Sequence, residues 1–173
     1  MSYDPSALVL HAWQHPPRCV GTFRVHPVEA PSPSPYLHDE LALFELGCPC
    51  GESALEVHGF PDGEGGLFCP LSARCPSCST VHGIFDVELH GYDAEFGHGC
   101  YSTRGTGNAS RHACPCGSVV FRLCASFSYQ IEPVEDLGDD AISRIQDFFD
   151  VFGLESRCAG CGTSSFLSEY ECA

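Results

Sequence analysis

Residues 47–51 read GCPCG, and residues 113–117 repeat the pattern as ACPCG, 66 positions further on. Two cysteines one residue apart, with proline between them and glycine behind, make a tight turn: proline fixes φ and glycine lets the chain reverse. Each turn has a later counterpart, Cys75 and Cys78 in CPSC for the first and Cys158 and Cys161 in CAGC for the second. A close pair supplies two thiolates from one turn, and a tetrahedral zinc site takes four, so two pairs make one closed site. Spacing alone leaves joins within a half or across halves open. The within-half reading is preferred and gives the sets Cys48, Cys50, Cys75, Cys78 and Cys114, Cys116, Cys158, Cys161, with two zinc ions expected.

Working outward, the two halves overlay. Behind the first turn Leu55 and Val57 flank Glu56, and behind the second Phe121 and Leu123 flank Arg122. Both stretches alternate as half-buried strands do. GIFDVEL, with Phe85, Val87 and Leu89 on one face, parallels FLSEYEC after the later pairs. The connection is longer in the second half, where Ala141, Ile142, Ile145, Phe148, Phe149 and Phe152 recur at three- and four-residue steps. That period predicts a helix over about 139–152, stopped by Gly153. The expected fold is therefore a β-rich α+β chain: two zinc-ribbon-like β-hairpin repeats, one helix inserted in the second, and an N-terminal β segment. The expected organisation is an N-terminal β segment with a Pro/Ser-rich loop (1–46), a first repeat (47–96), a Gly-rich linker (97–113) and a second repeat (114–173).

This layout resembles the zinc-ribbon class, in which two cysteine knuckles on β-hairpins hold one structural zinc. The resemblance covers Gly47 to Leu89 and Ala113 to Cys172; it speaks to metal and is silent on function. The C-x-C-G turn is also similar to one in the glutathione-dependent formaldehyde-activating family. That family's C-x-C-x-x-C signature is not present, and its activity does not carry over.

The charge is lopsided, with 23 acidic residues against 8 basic ones, all arginine, for a formal net charge of −15. Phosphate backbones are bound by clustered Lys and Arg, so nucleic acid is an unsuitable ligand and a basic protein a suitable one. No run reaches the ~20 apolar residues of a membrane span, and no positive charge precedes the short ALVL run as in a signal peptide. The expected location is cytoplasmic, where 13 cysteines favour metal ligation over disulfides.

Five cysteines remain. Cys124 and Cys172 read as small core residues, and Cys19 has no paired spacing. Cys69 and Cys100 read as loop cysteines, candidates for a reactive thiol, and only His98 beside Cys100 offers a local base. The His-Gly dipeptides at His58, His82, His90 and His98 read as turns, and His112 as surplus to a filled tetrahedron. His11 and His15 have the spacing of a helical metal pair, which Pro16 and Pro17 are expected to break. The stretch 103–110, TRGTGNAS, reads as linker, and Asp39 and Glu40 lack carboxylate partners for catalysis. The resulting expectation is a zinc-stabilised acidic protein-binding module of the immunity or antitoxin kind, or an adaptor. The alternatives are a thiol- or metal-dependent enzyme using Cys100 or Cys69, and a metal store or carrier.

Overall fold

Leu67, Cys69, Leu71 and Ala73 are buried while Phe68, Pro70 and Ser72 between them are half-buried, the period-two pattern of a strand with one face on a core. The same logic generates most of the chain. In the computed structural model, which describes residues 5–29, 40–90, 104–129 and 144–172, helix α1 (Pro5–Gln14) leads to β1 (Arg24–Val28) and β2 (Glu40–Gly47). Then come β3 (Glu56–Pro61), β4 (Leu67–Arg74), β5 (Val81–Phe85) and a single helical turn α2 (Val87–His90). The second half contributes β6 (Ser110–Arg111), β7 (Phe121–Tyr129), β8 (Val151–Cys158) and β9 (Ser164–Glu171). They form two antiparallel sheets, ordered β1-β2-β7-β8-β9 and β5-β4-β3-β6. No described helix is long and apolar enough to cross a membrane.

The registers match between halves. Glu56, Val57 and His58 of β3 face Arg74, Ala73 and Ser72 of β4, as Arg122, Leu123 and Cys124 of β7 face Arg157, Ser156 and Glu155 of β8. One bulge falls between Leu71 and Ser72 against β5, and its counterpart between Leu154 and Glu155 against β9. The strand before each CPCG turn does not pair within its own half. β2 lies on β7, with Glu45 opposite Cys124, and β6 lies on β3, with Arg111 opposite His58. Between the halves Leu55 and Phe121 exchange two backbone hydrogen bonds, of 2.8 and 2.9 Å. Each half is thus completed by a strand from the other.

A continuous apolar cluster lies between the sheets. Phe85 of β5 stacks on Phe152 of β8 with centroids 4.2 Å apart and planes at 7°, and Phe149 meets Phe127 edge-on at 4.8 Å. Polar ties cross the same gap: the Cys69 N–H donates to Tyr170 Oη at 2.7 Å, and the Ser168 hydroxyl to the Leu67 carbonyl at 2.7 Å.

Three expectations about elements are corrected. The helix expected over 139–152 does not form in its described part: Ile145–Asp147 is one 3₁₀ turn and Val151 already begins β8, while residues 139–143 lie outside the described residues. Ile145, Phe149 and Phe152 do reach the core, but Phe148 at φ −102° and ψ 66° leaves helical geometry, because β8 must extend to pair β7 and β9. Val87 and Leu89, expected in a strand, sit on α2. The N-terminal stretch is partly helical, not all β. Proline is tolerated in a first helical turn, and Leu8, Val9 and Ala12 give α1 a buried face. α1 ends at Gln14, before His15, as the prolines at 16 and 17 lead one to expect, yet the His15 N–H still donates to the His11 carbonyl at 2.8 Å and the rings stand 4.7 Å apart. Proline restricts the preceding residue's φ and ψ and leaves its N–H free to bond.

Candidate metal centres

Every knuckle is a hydrogen-bonded turn that lies between two strands. In the first type the Cys48 N–H donates to the Glu52 carbonyl and the Gly51 N–H to the Cys48 carbonyl, at 2.8 and 2.9 Å; Cys114, Ser118 and Gly117 repeat this at 2.8 Å each. Gly51 and Gly117 sit at φ +110° and +89°, where a side chain would be strained. In the second type Cys75 bonds Thr80 and Cys158 bonds Thr163 in the same way, each at 2.9 Å. There the left-handed position is Gly162 in one turn, φ +77°, and Ser79 in the other, φ +64°. Ser79→Gly is expected to raise stability by about 0.5–1 kcal/mol, seen as a higher denaturant midpoint.

These turns bring the eight cysteines into two groups, Cys48, Cys50, Cys75, Cys78 and Cys114, Cys116, Cys158, Cys161, each with its four sulfurs within 4.8 Å of one another. The halves do not exchange ligands. Cys48 and Cys78 sulfurs lie 3.5 Å apart, as do those of Cys50 and Cys75; Cys114–Cys161 and Cys116–Cys158 are at 3.6 Å. A disulfide needs about 2.05 Å, whereas a tetrahedron with 2.3 Å zinc–sulfur bonds has edges of about 3.8 Å. The eight are free thiols in geometry that could hold one metal ion per group.

In each group the first cysteine of a turn is buried and the second exposed. The Thr80 hydroxyl and N–H, with the Cys48 thiol, lower Cys78 to about 6. The N–H groups of Cys161 and Gly160 lower Cys158 to about 6 despite burial. Opposite them, the Cys50 N–H draws Cys48 down, but burial and shared protons push it to about 12, and Cys114 behaves alike. Thiols bind metal as thiolates, so metal binding at either group would release protons.

One supporting residue escaped the sequence reading. His82 is not in a turn; it is buried in β5, its Nε2 3.5 Å from the Cys48 sulfur and its ring 4.9 Å from Phe23. The matched register position in the second half is Ser165. The period-two pattern of VHGIF was the available signal. With a metal-bound thiolate at Cys48, the Nε2–H tautomer of His82 would donate to that sulfur and orient it, so His82→Ala is expected to weaken metal binding about tenfold at the first site alone, measured by competition with a chromophoric chelator. Glu52 braces the same site, its carboxylate held below the usual range by the Ala54 N–H, the Ser77 hydroxyl and the Ser53 N–H.

The other candidates lie elsewhere. Cys69, expected in a loop, is buried in β4, and burial pushes its thiol up. Burial, then Glu155 and Glu45, push Cys124 up to about 11. Burial, with Asp147 and Cys172 adding, raises Cys19. Cys172 is buried beyond β9. His58 lies within β3 and His90 ends α2, and His112 packs against Phe121 at 5.0 Å. Cys100, His98 and Asp39 lie outside the described residues.

No protein-family model matches the chain, and neither a curated protein nor a solved structure shows significant similarity to it.

Proposed function

We propose that both groups hold zinc as structural ions in a duplicated zinc-ribbon-like unit, and that the chain is an acidic protein-binding module whose partner is a basic protein, in the manner of an immunity or antitoxin inhibitor or an adaptor. The observation that carries the metal reading is closure: four cysteine sulfurs already surround each centre, whereas a catalytic zinc keeps a position open for water. The matched registers support the ribbon-like duplication. The buried, up-shifted thiol of Cys69 argues against its use as a nucleophile. The basic partner rests on the net charge of −15, which two zinc-tetrathiolate groups of −2 each would deepen to about −19. Complementary charge speeds encounter and favours the correct partner.

Native mass spectrometry of the untagged protein from its host's lysate tests both parts. The expected species carries two zinc ions and a basic companion that dissociates as salt rises. One zinc, or many exchangeable ions, would overturn the structural reading, and a partner insensitive to salt would overturn the charge argument.

A further inference from the structure

We propose that Arg122 and Arg157 form an oxyanion site on the exposed face of β7 and β8, taking a phosphate or carboxylate group. The two residues are direct cross-strand partners, and together with Cys158, Ala159 and Gly162 they line a surface hollow of ≈ 300 Å³. Like charges directly opposite on neighbouring strands destabilise a sheet, so neither arginine is stabilised by the other.

The remaining arginines are engaged. Arg18 and Arg144 meet Asp147, Arg104 grips Asp86 and Glu88, and Arg24 donates to the Gly51 carbonyl. Arg74 and Arg111 share Glu56. Among the described residues the side chain of neither Arg122 nor Arg157 has an ion pair or hydrogen bond, both residues being bonded through their backbones in the ladder. The first half shows what this register position otherwise does: there Glu56 stands opposite Arg74. The second half puts an arginine where the first has that glutamate, leaving two cations face to face where the first half has a carboxylate against Arg74. Glu45 and Glu155 flank Cys124 in the next row of the same face and pair with neither arginine. Two guanidinium forks beside one hollow offer parallel N–H donors to the oxygens of a phosphate or carboxylate. This site depends on neither the basic partner nor the identity of the metal.

The test is a ¹H–¹⁵N titration of the metal-loaded full chain at constant ionic strength, with inorganic phosphate in one series and acetate in the other. Saturable shifts are expected at the Nε–H groups of both arginines. Tighter saturation by phosphate assigns a phosphoryl ligand, and tighter saturation by acetate a carboxylate. Arg122→Glu restores the glutamate–arginine arrangement of the first half, so it is expected to fold with an equal or higher Tm and to bind at least about tenfold more weakly. Shifts that stay linear in the unaltered chain, or that saturate equally in Arg122→Glu, would overturn the site. So would metal loss from the second centre in Arg122→Glu with no saturable response in the unaltered chain, which would make the arginines a screen for the thiolates.

Discussion

Stripping bound metal from the protein with a strong chelator is expected to unfold both halves in a single transition, and two equivalents of zinc are expected to restore them. A structural zinc site contributes about 10–16 kcal/mol of apparent binding free energy, against a usual net stability of about 5–15 kcal/mol; losing it exceeds what the core can offset. Cooperativity follows from the strand exchange. β2 runs into Cys48 yet pairs with β7, and β6 runs towards Cys114 yet pairs with β3, so neither half keeps a complete sheet once the other opens. Cys116→Ser is expected to leave about one zinc per chain and to lower the Tm of the whole molecule. Circular dichroism against chelator concentration, with metal content measured alongside, decides the matter. Retained β signal in metal-free protein, or two separated transitions, would refute this account.

Phe152→Ala is expected to cost about 3–5 kcal/mol, the range for emptying a fully buried aromatic position. Phe152 is 0% exposed and, among the described residues, makes the closest aromatic contact between the sheets, stacked on Phe85 and 5.7 Å from Phe127 of its own sheet. Phe152→Leu should cost less, since most of the volume stays filled. Both variants should keep the full metal complement, because the ring's aromatic partners, Phe85 and Phe127, belong to the core between the sheets and not to a knuckle; urea unfolding and metal analysis on the same samples give the two readings. A loss below about 1 kcal/mol for the alanine variant would mean that the sheets do not depend on this contact.

The two largest expected effects divide as sequence and structure do. The knuckles were legible because a metal turn is a local object: C-x-C-G and C-x-x-C force a chain reversal within a few residues, and the turn's own hydrogen bonds close it. Val57, Phe121 and Leu123 were legible as strand positions for the same reason, since alternation is a short-range pattern, while Leu55 makes only an isolated bridge to Phe121. The apolar run from Ile145 to Phe152 was not, because steps of three and four fit a helical stripe and a buried 3₁₀ turn entering a strand equally well. The competing helix loses to eight residues of pairing with β7 and β9 that no local window contains. His82 was hidden in the same way, its role fixed by Cys48 from another strand.

The sequence by itself determined the candidate metal ligands: which eight cysteines stand in close pairs, and that four thiolates are the number one tetrahedral ion would take. The tertiary structure alone decided that the ligand sets close within halves while the strands exchange between them. It also decided that His82 braces one centre, and that two arginines distant in sequence face each other across β7 and β8. Covalent neighbours fix turn geometry, but register between strands is set by burial and backbone pairing summed over the whole sheet, a quantity no short segment carries.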